Sequence, residues 1–266
     1  MHSITAKEFT LFSQFIYDYA GIDLSPAKQT MVGSRLSKRL NYYQLDNYHQ
    51  YYDLVMSNNT PGELQMLVNI LTTNETYFFR EPKHFDYLTE KVLKRWRGEK
   101  FRIWSAASSS GEEAYSLAMI LAESLSHRPW EIIASDLSTQ VLAKAQQGVY
   151  LMDRIELLDQ HLLDKYCLKG VRSQEGTFRV DEKLRKHTRF GQVNLMKPIP
   201  ASIGMFDVIF LRNVLIYFDT ETKKAVVERV AKKLKPGGLF FISHSETLNR
   251  VTDVLEMVQP SIYVKK

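Results

Sequence analysis

Residues 101–115, Phe-Arg-Ile-Trp-Ser-Ala-Ala-Ser-Ser-Ser-Gly-Glu-Glu-Ala-Tyr, pass from an apolar stretch through a run of small residues into a helix that opens on two carboxylates. In an open α/β sheet the crevice beyond the carboxyl ends of the first strands receives nucleotide-like ligands, and small residues there let a ligand approach the backbone. Glu112 and Glu113 in the first helical turn already offset the dipole that would attract a phosphate, which argues against a dinucleotide. Gly111 stands alone, so the glycine-rich pattern of many nucleotide folds is missing. A nucleoside with free hydroxyls and a cationic tail, of which S-adenosylmethionine is an example, suits carboxylate partners better.

The pattern downstream extends this unit into a doubly wound, mostly parallel α/β sheet. Strands are expected at 101–106, 130–135, 206–211 and 239–243, with helices at 111–126, 138–147 and 221–234. Continuous apolar runs such as 208–211 and 239–242 are what a sheet covered on both faces requires. A Lys-Pro-Gly-Gly sequence at 235–238 reads as the turn before the last of these strands. Two alternating segments, 176–180 and 187–193, interrupt the rhythm and are expected to form a small antiparallel insertion. From residue 5 to about residue 71, apolar residues recur instead at helical spacing, with Ser25-Pro26 and Thr60-Pro61 read as a cap followed by a first-turn proline. The expected organisation is an all-α domain over 1–72, a linker with a first helix over 73–100, and a ligand-binding α/β domain over 101–266 that carries a β-subdomain at about 169–193.

Composition narrows the classes. With 44% hydrophobic and 24% charged residues the chain reads as an ordinary globular protein. No apolar run is long enough to span a bilayer and the amino terminus lacks a signal-peptide pattern, so a cytoplasmic location without membrane insertion is expected. A single cysteine, Cys167, permits no internal disulfide and reads as a structural thiol. The seven histidines show no pair at metal-ligand spacing, so no metal is expected, and a net charge of +5 is too small to argue for nucleic acid.

Several side chains fall where such a sheet places a ligand. Asp136, at the end of the second strand, is positioned to accept hydrogen bonds from ribose hydroxyls, although helix capping is the other use of an acid there. Arg212 and Asn213 follow the strand at 206–211, with Tyr217 close behind; Asn213 as a turn former and Tyr217 as a core residue are the alternatives. Segment 72–80, Thr-Thr-Asn-Glu-Thr-Tyr-Phe-Phe-Arg, joins the two domains and ends on a guanidinium suited to a carboxylate. In the helical domain Lys28, Arg35 and Arg39 fall within roughly 40° of one another on one helix face, with Lys38 at its edge. A solvated face and a docking surface for an acidic partner are equally open readings.

The segments 74–80, 105–116, 134–136, 193–195, 206–218 and 235–246 together resemble the CheR family, the chemotaxis receptor methyltransferases that use S-adenosylmethionine to esterify receptor glutamates. The resemblance spans nearly the whole chain. It implies a pocket for S-adenosylmethionine and its product S-adenosylhomocysteine lined by Asn74, Thr76, Arg80, Glu113, Asp136, Asn194, Leu195, Asn213 and Val214. Arg80 and Tyr217 would face the reacting carboxylate, and Lys28, Arg35, Lys38 and Arg39 would meet the cytoplasmic helices of a chemoreceptor. This chain departs from the family's loop by carrying Ser-Ser-Ser-Gly-Glu-Glu-Ala-Tyr at 108–115, with serine for threonine and alanine for proline. Some members grip a receptor's carboxy-terminal pentapeptide with the β-subdomain, and here 169–176 has fewer glycines than such versions, which leaves that question open. The protein is expected to act as a monomer. A small-molecule methyltransferase and a non-catalytic S-adenosylmethionine-binding scaffold are the competing readings.

Overall fold

A computed structural model describes residues 3–125 and 127–266. Four helices form the amino-terminal domain: α1 (Ala6–Ala20), α2 (Gln29–Tyr43), α3 (Tyr48–Met56) and α4 (Glu63–Leu71). Their apolar stripes converge on a core that includes Phe12, Ile16, Val32, Leu36, Tyr51 and Leu67, all essentially inaccessible. Thr5 and Glu8 close a capping box on α1, and Glu8 reaches on to the backbone N–H groups of Tyr48 and His49 at the start of α3. The proline readings need adjustment. Pro26 opens a short 3₁₀ turn, Pro26–Lys28, that leads into α2, and Ser25 makes no side-chain cap bond. Pro61 lies before α4, whose amino end is Gly62 at φ 82°, a backbone geometry that removes proline from the first turn.

After a short helix α5 (Pro82–Tyr87), the α/β domain runs β1 (Phe101–Ser105), α6 (Glu112–Ser124), β2 (Trp130–Asp136), α7 (Thr139–Gln147), β3 (Val149–Leu151), α8 (Gln160–Tyr166), β4 (Cys167–Lys169) and β5 (Thr177–Val180). The helix expected to reach Ser126 has its last described residue at Ser124, and residue 126 lies outside the described residues. It continues through α9 (Glu182–Arg185), β6 (Thr188–Gln192), β7 (Phe206–Phe210), α10 (Thr220–Ala231), β8 (Leu234–Phe241), β9 (Leu255–Gln259) and β10 (Ile262–Lys265). The main sheet has the order β6-β2-β1-β7-β8-β10-β9, with all strands parallel as far as β8 and β10 antiparallel to both its neighbours. One face is covered by a core around Phe101, Leu117, Ile132 and Phe210, the other by a core around Trp104, Ile209, Val227 and Phe240.

Three details differ from the sequence reading. The segment at 187–193 does not join the antiparallel insertion: β6 pairs in parallel with β2 as the edge of the main sheet, from Ile132↔Thr188 to Asp136↔Gln192. The small sheet is instead β3-β5-β4, drawn from 149–180. The Lys-Pro-Gly-Gly sequence does not precede the last parallel strand but lies inside β8, where Leu234 faces Phe206 and Leu239 faces Val208, so the intervening residues bulge out of the ladder. The final strands β9 and β10 carried too little alternation to be read from the sequence.

Chain order makes β1 the centre of the sheet: from it the chain steps outward to β2 and β6, then returns to β7 on the other side. Such a reversal opens a crevice at the carboxyl ends of β1 and β7. The register Ser105↔Ala134 and Ser105↔Phe210 brings Ala106, Asp136 and Arg212 to one sheet edge. The helical domain closes over that edge through direct bonds: Tyr17 Oη donates to Asp219 at 2.5 Å, Asn194 Nδ2 donates to the Tyr19 carbonyl at 2.7 Å, and the Asp23 N–H donates to the Tyr217 carbonyl at 2.8 Å. Gly21, at φ 72°, ends α1 at this junction, and a Cβ there would stand 2.7 Å from Thr222 and 2.8 Å from Met196.

Inside the helical domain Glu63, 4% exposed, accepts hydrogen bonds from Arg39 (2.8 and 2.6 Å), Tyr51 (2.6 Å) and Tyr43 (2.9 Å). Burial pushes its carboxyl up, but these donors outweigh burial and hold it below the ordinary carboxylate range. A lowered carboxylate stabilises the fold above its unfolded pKa and loses that contribution as pH falls through the folded value. Arg39→Ala should therefore cost roughly 3 kcal/mol, at the low end for breaking a buried pair because Arg39 keeps part of its stem exposed. Urea titration at pH 7 checks this, and the difference from the native chain should shrink on acidification below about pH 4.

Candidate functional site

The crevice predicted by the topology is a cleft of about 770 Å³ between the helical domain and the carboxyl ends of β1, β2 and β7, within the roughly 300–1,000 Å³ usual for ligand sites. Asn74, Thr76, Arg80, Glu113, Asp136, Asn194, Leu195, Asn213, Val214 and Tyr217 all line it, as do Lys28 and Arg35. Lys38 and Arg39 do not. Lys38 is exposed to solvent, and Arg39 is turned inward to Glu63 while its guanidinium stacks on Tyr42 and Tyr43.

Asp136 sits at the floor of this cleft. Its Oδ2 accepts the Ser109 N–H at 2.9 Å and its Oδ1 accepts the Ser138 N–H at 2.9 Å. Ser138 is itself the cap of α7, accepting from the Val141 N–H, so the acid is not required as the helix cap. The Leu137 N–H is also directed at the carboxylate, which keeps acceptor capacity for a ligand hydroxyl. Burial pushes the Asp136 carboxyl above its ordinary range despite the backbone donors. Ser109 holds φ 48°, a left-handed geometry that aims its N–H at Asp136, while its hydroxyl donates to the Asn74 carbonyl at 2.9 Å.

Glu113 and Arg212 form the second polar centre. Glu113 Oε1 accepts from Ser105 Oγ at 2.7 Å, and its Oε2 faces Arg212 at 3.0 Å. Burial again raises its pKa, with Arg212 opposing. The neighbouring Glu112 takes only a local bond from Ser110 and lies outside the cleft. Arg212, 5% exposed, also ion-pairs with Glu81 at 3.1 Å and donates to the Arg80 carbonyl. It thereby ties β7 to α6 and to the interdomain segment, a role that its place after an apolar strand did not reveal.

Arg80 is flanked by two residues in left-handed backbone geometry, Phe79 at φ 55° and Glu81 at φ 61°, uncommon for non-glycine residues and frequent near functional sites. Its Nη1 donates to the Glu75 carbonyl at 3.0 Å and its guanidinium lies 5.5 Å from the Tyr77 ring centre. Arg35 donates to the carbonyls of Ile70 and Thr72 and to Thr73 Oγ1. No ion pair engages Arg80, Arg35 or Lys28 among the described residues. Tyr217 has its phenol pushed above the ordinary range by burial and by Glu75, so it is a neutral donor at pH 7.

A second cluster lies beside the cleft. Glu81, His84 and His244 come within 4.8 Å of one another, and Ser261 Oγ bonds both imidazoles, at 2.7 Å to His84 and 3.0 Å to His244. Residues distant in sequence meet here, which local histidine spacing could not show. Arg212 already occupies Glu81, so a cation added to this trio would confront a guanidinium. Burial and Arg212 lower His84 to about 3, leaving it neutral.

Comparison with known families accounts for both halves of the cleft. Residues 74–264 match the family described as CheR methyltransferase, SAM binding domain, and residues 7–72 match CheR methyltransferase, all-alpha domain. Fold and cleft thus define an S-adenosylmethionine-dependent methyltransferase. Chemotaxis protein methyltransferases of Salmonella typhimurium (39% identical over 98% of this chain and 91% of the relative) and Escherichia coli (41% over 94% and 87%) are similar along nearly their full lengths. Chemotaxis protein methyltransferase 2 of Pseudomonas aeruginosa is 40% identical over 97% of this chain and 93% of the relative. This chain belongs to the CheR family.

The donor set fits the cofactor: an acid with remaining acceptor capacity at Asp136, a second acid near a helix start at Glu113, and small residues Ala106 and Ala107 on the cleft wall. Asp136 must be charged to accept from a diol, and its raised pKa means that the charge is lost at a higher pH than for an exposed aspartate. Calorimetric affinity for S-adenosylhomocysteine should therefore hold near neutrality and begin to fall above the usual carboxylate range of about 4 as pH is lowered. Asp136→Asn should weaken it roughly 10- to 100-fold, the value of a charge-assisted hydrogen bond, and abolish that acid limb.

Proposed function

We propose that this protein transfers the methyl group of S-adenosylmethionine to glutamate side chains on the cytoplasmic helices of chemoreceptors, giving methyl esters, and that it acts as a cytoplasmic monomer. One observation carries the reading: Arg80, Arg35 and Lys28 line the cleft, and although Asp23 and Glu75 line it too, no ion pair engages these bases among the described residues, so the cleft can take an anionic group beyond the cofactor. A small-molecule acceptor would need none of the additional basic residues at the mouth, and a non-catalytic scaffold would have no use for Arg80 and Tyr217 together.

The chemistry matches what the cleft contains. When bound, the cofactor supplies an electrophilic methyl on a sulfonium. A glutamate carboxylate, with a reference pKa of about 4.3, is already a bare nucleophile at pH 7. No proton has to be removed, and among the described residues no histidine lines the cleft. The protein's task is orientation and exclusion of water. Arg80, held from behind by a carbonyl rather than an acid, keeps the other N–H groups of its fork for one acceptor oxygen. The neutral phenol of Tyr217 donates to the carboxylate and orients the other oxygen without protonating it. Arg35 and Lys28 guide the acidic helix inward, an effect that salt screens.

A receptor's carboxy-terminal pentapeptide, extended, would add to the free edge of β4, beside which Leu168 and Val171 are 57% and 69% exposed. With tritiated cofactor and a receptor cytoplasmic fragment, the label should be released by mild alkali; acid- and alkali-stable label, or none, would defeat the ester assignment. Arg80→Ala and Tyr217→Phe should each lower kcat, Arg80→Ala on the order of 100-fold, with S-adenosylhomocysteine affinity much less affected for Tyr217→Phe.

A further inference from the structure

Glu246 lies outside the cleft, yet the segment that carries Asn213, Val214 and Tyr217 is wrapped around it. Its Oε1 accepts the Leu215 N–H at 2.8 Å, and its Oε2 accepts the Ser243 N–H at 2.8 Å and the Asn213 N–H at 3.2 Å, with the Ile216 N–H also directed at the carboxylate. These donors come from a stretch with little regular structure: Asn213 is left-handed at φ 56°, and only a single 3₁₀ turn, Leu215–Tyr217, follows. Without an acceptor, their N–H groups would face one another around a buried point. Asn213 Nδ2 donates in addition to Ser243 Oγ at 2.8 Å, which joins the strand-end residue to the same anchor.

From this geometry we infer that Glu246 is a positioning residue for methyl transfer: its carboxylate gathers the backbone of 213–216 and so fixes where the Tyr217 phenol stands against the acceptor. The inference rests on the role proposed above for Tyr217. Glu246 does not line the cleft, and it acts on Tyr217 through the backbone hydrogen bonds of 213–216 and, more weakly, through its charge, which helps keep the phenol neutral. A carboxylate suits the task because it has only acceptors to offer, up to four lone pairs for converging N–H groups. Glutamine in its place would turn an NH₂ toward backbone donors and leave at least one N–H unmatched. Aspartate keeps the charge but is one methylene shorter.

The test uses the full chain with 3-fluorotyrosine placed at position 217. In the native protein with S-adenosylhomocysteine, the fluorine spectrum should show one sharp resonance. In Glu246→Gln it should shift and broaden or split, while kcat on a receptor fragment falls at least tenfold and S-adenosylhomocysteine affinity, to which the cleft-lining Asn213 and Val214 of the same segment also contribute, falls by a clearly smaller factor. Glu246→Asp should recover part of both the spectrum and kcat. An unchanged fluorine signal together with native kcat in Glu246→Gln overturns the inference. So does a loss of cofactor affinity equal to the loss of kcat, which would mark a general structural role. If Glu246→Gln does not fold, the same criteria apply to Glu246→Asp. Should the native protein methylate no receptor while the resonance still moves, the proposed acceptor is wrong and the positioning role of Glu246 stands.

Discussion

A single buried guanidinium holds the site together. Arg212 reaches Glu113 on α6, Glu81 at the start of α5 and the carbonyl of Arg80, with its own side chain 2% exposed. Two largely buried acids share one buried base: removing the guanidinium would leave both carboxylates without a cation, and removing one carboxylate would shift the burden to the other. Because the three partners belong to different elements, the electrostatic requirement is also a geometric one. It fixes the distance between the cofactor side of the cleft, where Glu113 stands, and the interdomain segment that presents Arg80.

Around this centre the charged residues of the cleft divide between its two sides. Asp136 and Glu113 lie on the sheet side with Arg212, whereas Arg80, Arg35 and Lys28 lie toward the helical domain, where Asp23 and Glu75 also line the cleft without forming an ion pair to them among the described residues.

Much of this was legible in the chain. Uninterrupted apolar strands and a small-residue loop ending in two acids specify a parallel sheet with a ligand at its carboxyl edge, because burial on both faces and close backbone approach leave few other solutions. Asp136, Asn213 and Tyr217 were reachable because they follow apolar strands, and Arg80 because it ends the junction between the domains, whereas Asn194, Leu195 and Val214 were reached only through the resemblance to the CheR family. What was hidden depends on contacts distant in sequence. Arg39 reads as a surface charge until Glu63 is folded against it; β6 reads as part of an insertion until β2 supplies its partner; Glu246 is one acid among many until the loop at 213–216 closes around it. The Lys-Pro-Gly-Gly sequence misled for a local reason, since turn chemistry is also bulge chemistry.

The bond from the Asp23 N–H to the Tyr217 carbonyl means that the connection between α1 and α2 and the acceptor tyrosine are parts of one rigid backbone seam. An amino-terminal module that merely tethered a partner could drift or be exchanged without altering the chemistry. This one supplies part of the cleft wall, so a change at the connection between α1 and α2 bears directly on the backbone that carries Tyr217.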